Sequence, residues 1–218
     1  MKIPYAIILA AGRGSRMKPL TDHTPKALLP SPHNSLLSRQ IDFLKKYAEH
    51  VVVTNGYLGN QIAQRQRELS IDLLIDTNGH GNAFFIGKLF DLGISGRVPV
   101  ITCDNIMDVN LDTILEEDAN FDSAITIVAI TNQSGLPGDR IKTNSDLVVE
   151  EIGPTVTSPI LASGLQVIDV DICKQFSAED FDNLWQELIP SSLLRVSSVR
   201  PHSWNAFDDV ESLSRLKS

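Results

Sequence analysis

The stretch Leu9–Pro30, LAAGRGSRMKPLTDHTPKALLP, constrains this chain more than any other. It follows the apolar run Ala6-Ile7-Ile8-Leu9, which predicts a short strand buried on both faces. The run opens into Ala10-Ala11-Gly12-Arg13-Gly14, small residues that let backbone N–H groups approach a ligand closely. Two cations follow, Arg16 just beyond the second glycine and Lys26 directly after Pro25. A small-residue loop flanked by fixed positive charges suits a polyphosphate.

Two familiar phosphate motifs do not fit. The dinucleotide pattern G-x-G-x-x-G has Met17 where its third glycine belongs, and Pro19 and Pro25 forbid the uninterrupted helix that should follow. The P-loop string G-x-x-x-x-G-K-[ST] occurs nowhere in the chain. What remains is G-x-G-x-R-x-x-P-L-T-x-x-x-P-K, met at Gly12, Gly14, Arg16, Pro19, Leu20, Thr21, Pro25 and Lys26. A tight turn with surface charges needs neither the arginine nor the Pro-Lys pair.

That string resembles the signature of the sugar-phosphate nucleotidyltransferases, which make NDP-sugars and related activated head groups, while Asn82 and the closing Asp208-Asp209-Val210 are closer to phosphocholine cytidylyltransferases. The resemblance implies a three-layer α/β/α, mostly parallel sheet, the Rossmann-like (GT-A-like) nucleotidyltransferase fold. It implies that Arg16 and the loop from Leu9 through Ala10, Ala11, Gly12, Arg13 and Gly14 grip a nucleoside triphosphate, and that Lys26 binds near an attacking phosphate. Relatives also imply a homodimer.

With 218 residues the chain fits one domain, read here as a nucleotide-binding half of about 1–110 and an acceptor-binding half of about 111–218. The net charge of −8 argues against a nucleic-acid or anionic-membrane surface. No apolar stretch approaches the roughly 20 residues of a membrane span, and the first apolar run ends at the glycine loop rather than in a leader cleavage site. Cys103 and Cys173 sit in apolar contexts that predict buried thiols, hence a cytoplasmic location. No internal repeat is found, so a catalytic domain without a β-helix extension is expected.

The chain continues with a helical pattern over 36–47, a buried strand at Val51–Thr54, a helix over 61–69 and a strand over 71–75. That alternation predicts a parallel sheet with covered faces, whose ligands gather at the C-terminal ends of strands. Gly79-His80-Gly81-Asn82-Ala83 stands where sugar nucleotidyltransferases usually read Gly-Thr-Ala, so the resemblance gives Gly81 and Asn82 a place at the base. Asn82 could pair with a base edge or cap the next helix; His80 reads as a solvated loop residue. Val98–Thr102 predicts another buried strand, ending in Cys103-Asp104-Asn105. A carboxylate there can hold a metal against phosphates or simply close an Asx-turn. The family's corresponding aspartate binds Mg²⁺.

Residues 135–152 read as a hairpin around Asn144-Ser145-Asp146. By resemblance, Glu151, Ser163 and Gly164 line the acceptor pocket. Near the end, Trp204-Asn205-Ala206-Phe207-Asp208-Asp209 resembles the family's last strand, where a second aspartate completes the metal site; Asp208 is chosen over Asp209. Many sugar enzymes carry that acid two residues after the tryptophan, a place held here by Ala206.

The implied reaction is attack of an acceptor phosphate on the α-phosphorus of an NTP, with Mg²⁺ held by Asp104 and Asp208 and pyrophosphate leaving. A phosphate monoester is already ionised at neutral pH, so no general base is needed, in keeping with the lack of a Ser-His-Asp or Cys-His set. The expected product is an NDP-sugar, of the kind used in sugar nucleotide and cell-surface polysaccharide biosynthesis. The acceptor reads as a sugar-1-phosphate; phosphocholine with CTP is the alternative, using Tyr57, Phe84, Phe85 and Trp204 around a quaternary ammonium. A catalytically silent NDP-sugar-binding regulator is the alternative of another class.

Overall fold

The structure, a computed structural model, describes residues 2–31, 34–131 and 136–215. Gly135, the first residue of the expected hairpin segment, lies outside the described residues. Its residues cluster into two compact units, one drawn from 1–85, 100–106 and 205–218 and the other from 86–99 and 107–204. The division differs from consecutive halves meeting near residue 110. Two later segments rejoin the first unit, one through the pairing of Val100–Thr102 with Ile7–Leu9 and the other through the packing of Phe207 and Leu213.

The first unit begins with β1 (Ile3–Leu9), in which Ala6, Ile7 and Ile8 are wholly buried. A two-stranded ribbon, β2 (Pro30–Ser31) and β3 (Asn34–Ser35), leads into α1 (Leu36–Leu44). Ser35 caps this helix: its Oγ accepts the Ser38 amide while Ser38 Oγ accepts the Ser35 amide, satisfying two N–H groups that a helix start otherwise leaves without partners. Leu36, Leu37, Ile41 and Leu44 form the buried stripe, at the spacing one helix face requires.

After α1 come β4 (Ala48–Asn55), α2 (Gly59–Gln64) and β5 (Leu73–Asp76). Helix α2 is shorter than the pattern over 61–69 predicts. Residues 65–69 continue as turns that end at Ser70, whose left-handed backbone closes the segment. The chain then passes through α3 (Phe85–Asp91) and returns in β6 (Arg97–Thr102). Strand β1 pairs in parallel with β4 on one side and with the Val100–Thr102 end of β6 on the other, and β4 pairs in parallel with β5. This is the expected Rossmann-like α/β arrangement, with the ends of all four strands on one side.

Next are β7 (Asn105–Asp108) and α4 (Leu111–Asp118), followed by β8 (Ile125–Thr131), β9 (Arg140–Thr143), β10 (Val149–Gly153) and β11 (Ile160–Asp169). The expected hairpin around residues 144–146 is the antiparallel β9–β10 pair. Strand β11 is antiparallel to β8 and β9, and β8 is parallel to β12 (Leu194–Val196), which follows α5 (Val170–Cys173) and α6 (Phe181–Leu188). One polar residue interrupts the apolar β8 run for a reason. Thr126 donates to Asp118 at 2.6 Å, and Arg97 meets the other carboxylate oxygen of this fully buried acid at 2.8 Å.

The last elements are β13 (Ser203–Ala206), paired with β7, and α7 (Val210–Arg215). In the first unit Phe207 and Leu213 join Met17, Leu29 and Leu36 in an apolar cluster against which Ile106 packs. The residue that denied the loop a third glycine is therefore the anchor on which the end of the chain docks. No helix of the described residues is long and apolar enough to cross a membrane.

Candidate functional site

At the ends of β1, β4, β5 and β6 lies a cavity of about 630 Å³, lined by Leu9 to Arg13, Lys26, Thr54, Gly56, Tyr57, residues 77–82, Phe85 and Thr102 to Asp104. That size is within the range of small-molecule sites, and strand ends are where open α/β sheets bind them. Backbone bonds fix the rim. Ala10 donates to the Thr54 carbonyl, Cys103 donates to the Leu9 carbonyl, and Tyr57 donates to the Ala11 carbonyl at 3.1 Å. Gly56 suits this close approach, since a Cβ at that position would lie 3.0 Å from both the Cβ and the carbonyl oxygen of Ala11, which would have to give way. Among the described residues no acceptor takes the amides of Gly12, Arg13 and Gly14, which leaves three N–H donors for an anion.

Gly14 adopts a left-handed backbone (φ 59°) and turns the chain into the short 3-10 segment Ser15–Met17. Its carbonyl accepts the Thr21 hydroxyl at 2.8 Å. Tyr57 Oη donates to the carbonyls of Thr21 and Asp22, each at 3.3 Å, and Gln61 Nε2 donates to that of His23 at 2.8 Å. These contacts hold the approach to Pro25, after which the 3-10 turn Lys26–Leu28 delivers Lys26.

The Lys26 ammonium lies between two acids, bonded to Asp104 Oδ2 and, at 2.9 Å, to Asp208 Oδ1. Arg16 Nη2 reaches the same Asp208 oxygen at 3.3 Å. Burial alone would lower the Lys26 pKa, but the charges and hydrogen bonds of Asp104 and then Asp208 outweigh it and hold the group above its ordinary range. The acids converge because Phe207 donates its amide to the Asp104 carbonyl at 3.0 Å. Asp209 is engaged elsewhere, its Oδ1 accepting the Ser212 amide at 2.7 Å at the start of α7.

The turn carrying Asp104 is pinned from α1. Gln40, nearly wholly buried, donates to the carbonyls of Thr102 (3.1 Å) and Asn105 (2.6 Å), and Asn105 Nδ2 donates to Thr102 Oγ1. Burial, with the neighbouring Asp104 charge next, pushes the Cys103 thiol up, so it stays protonated beside the cavity.

The structure thus gathers Leu9 to Gly14, Arg16, Lys26, Gly81, Asn82, Asp104 and Asp208 in the first unit. His80 is exposed, but it lines the cavity and stacks on Phe84 with ring centroids 3.6 Å apart. The acceptor candidates fall in the second unit. Glu151 is exposed and paired with Lys142 at 2.9 Å. Ser163 is buried, its carbonyl accepting the Trp204 indole N–H at 2.8 Å, and Gly164 sits at the irregularity where the β8–β11 register shifts. Tyr57, Gln61 and Gln40, which position the site, carried no local sequence signal for that role, because each acts on backbone carbonyls.

Residues 6–85 match the MobA-like NTP transferase domain. Over 108 residues the chain is 39% identical to a choline-phosphate cytidylyltransferase from Streptococcus pneumoniae, a match covering 49% of this chain and 47% of the relative. It is 31% identical over 124 residues to an N-acetylmuramate alpha-1-phosphate uridylyltransferase from Neisseria meningitidis, covering 52% and 48%. The matches span less than half the length of these curated relatives. The fold extends further: a solved structure of CTP:phosphocholine cytidylyltransferase from S. pneumoniae superposes with a TM-score of 0.75 at 23% identity, covering 99% of this chain and 98% of that one. By sequence over about half its length and by fold throughout, the chain is similar to the sugar-phosphate nucleotidyltransferases and the phosphocholine cytidylyltransferases.

Proposed function

We propose that the protein is a nucleotidyltransferase that joins an NTP to a sugar-1-phosphate, giving an NDP-sugar and pyrophosphate. One observation carries this reading: Lys26 is clasped by two acids distant in sequence, with Arg16 on one of them, next to a loop of unpartnered amides. Both reactants are polyanions, so the chemistry is mainly charge cancellation and alignment. The loop amides and Arg16 take the triphosphate, and Lys26 takes an oxygen of the acceptor phosphate.

Asp104 and Asp208 suit Mg²⁺, which uses one or two carboxylates and leaves its other positions to phosphates and water. When bound it supplies Lewis-acid stabilisation of the charge that develops at phosphorus. Among the described residues no group of three or more His, Cys, Asp or Glu could hold a metal, so a closed zinc-type site is not favoured.

The acceptor preference rests on the aromatic residues. A choline cage needs exposed ring faces. The Arg13 guanidinium lies 5.4 Å from the Tyr57 ring centroid, Phe84 is stacked with His80, and Phe85 is wholly buried. A quaternary ammonium facing Arg13 would be repelled. The second reading, transfer from CTP to phosphocholine, is favoured by the 39% identity to the choline-phosphate enzyme.

Pyrophosphate release measured for each NTP across sugar-1-phosphates and phosphocholine tests both. Turnover with a sugar-1-phosphate supports the first reading, and turnover with phosphocholine alone supports the second. No release from any pair favours the silent binding protein.

A further inference from the structure

We infer that Lys26 is the resident counter-cation of the two acids, so that a divalent ion enters this site together with a phosphorylated ligand and not ahead of it. The inference rests on the nucleotidyl-transfer reading, but its test separates the two. Before any ligand arrives, two carboxylates, Asp104 and Asp208, face two cations, Lys26 and Arg16. The group is neutral. Its ammonium is nearly enclosed, with 10% of the Lys26 side chain exposed, and it already bonds one oxygen of each acid.

A hydrated divalent ion gives up water reluctantly and binds where negative charge exceeds positive. Here it meets no net charge, and a partly buried ammonium whose repulsion solvent and salt screen poorly. A triphosphate changes that balance. Its oxygens offer new partners to Arg16 and, until an acceptor phosphate arrives, to Lys26, and its own charge attracts the ion to carboxylates the ammonium has left. The lysine can make the exchange without moving its backbone. The turn that carries it is fixed by bonds from Leu28 N to the Pro25 carbonyl (2.8 Å) and from Leu29 N to the Lys26 carbonyl (3.1 Å), while four methylenes separate Nζ from Cα.

The charge, not the shape, of residue 26 should then govern affinity for the bare ion. Mn²⁺ alone, titrated onto the whole protein and followed by the loss of its free electron-paramagnetic-resonance signal, is expected to bind Lys26→Gln at least about tenfold more tightly than wild type. Lys26→Arg keeps the charge and should bind as weakly as wild type. In the wild type, Mn²⁺ should raise the melting temperature in the presence of inorganic triphosphate, beyond triphosphate alone, and leave it unchanged without it. Wild type binding bare Mn²⁺ as tightly as Lys26→Gln would overturn the inference and leave the nucleotidyl-transfer reading standing. Failure of every form to bind Mn²⁺, with or without triphosphate, would overturn the inference and the metal's part in that reading together. Should Lys26→Gln not fold, the wild-type melting pair decides: a full shift with Mn²⁺ alone refutes the inference, and a shift that needs triphosphate supports it.

Discussion

The two glycines of the loop should fail in opposite ways when each is given a methyl group. At Gly14 a Cβ would lie 2.9 Å from Lys26 Cβ and 3.1 Å from Thr21 Cγ2, on a backbone with φ 59°. The left-handed conformation costs a residue with a Cβ about 1–2 kcal/mol, and crowding against the root of a neighbouring side chain adds about 1–3 kcal/mol. Gly14→Ala should therefore lose about 3 kcal/mol, or about 6–12 °C in Tm for a chain of this size. Turnover should fall as well, because the atom that must yield belongs to Lys26. At Gly12 nothing lies within 4 Å of the added carbon, and no left-handed φ is involved. Gly12→Ala should melt within about 2 °C of wild type, yet Gly12 lines the cavity, and a methyl there should raise the KM for NTP at least about tenfold. Calorimetry and pyrophosphate-release kinetics on both variants provide the comparison. Equal melting temperatures for the two, or a Gly14→Ala enzyme as stable and active as wild type, would refute the argument that Gly14 is a steric requirement and Gly12 an approach for the ligand.

Asp104→Asn should lower kcat by about 10²-fold or more in a protein that still folds, with Tm reduced by the loss of one acid from the Lys26 clasp, read by pyrophosphate release and a melting curve. Tyr57→Phe removes the bonds to the Thr21 and Asp22 carbonyls and should cost about 1 kcal/mol in urea unfolding; kcat should fall more than KM rises if Tyr57 positions Lys26. Because the Lys26 pKa is raised above 10.5 in the folded state, its contribution to stability is whole below pH 10.5 and is lost as pH climbs through the folded value. The urea midpoint of wild type should then fall more steeply at high pH than that of Lys26→Met, and parallel curves would argue against the clasp.

The parts of the site written in contiguous sequence were legible there. Gly12, Gly14, Arg16 and Lys26 lie within one loop, and a carboxylate at the end of a buried strand singled out Asp104. The existence of α1 and β4 followed from apolar periodicity, but not their bounds: α1 stops at Leu44 rather than 47, and β4 runs over Ala48–Asn55 rather than 51–54. What could not be read depends on partners far along the chain. Asp208 was preferred to Asp209 by resemblance, but what brings it to Lys26 is Phe207 meeting Met17 and an amide reaching the Asp104 carbonyl. The roles of Gln40, Tyr57 and Gln61 were hidden because a backbone carbonyl is the same acceptor whatever residue bears it. Thr126, polar within an otherwise apolar buried run, makes sense only once Asp118 supplies its acceptor.

The docking of Phe207 and Leu213 beneath Met17 has a consequence for biosynthesis. Lys26 and Asp208 are 182 residues apart, so a ribosome can have released the whole glycine loop and still lack the second carboxylate. A nascent chain that has folded its first strands therefore carries a lysine held by one acid alone. The pair of carboxylates is completed only once the segment around residue 208 has been made and closes this long loop.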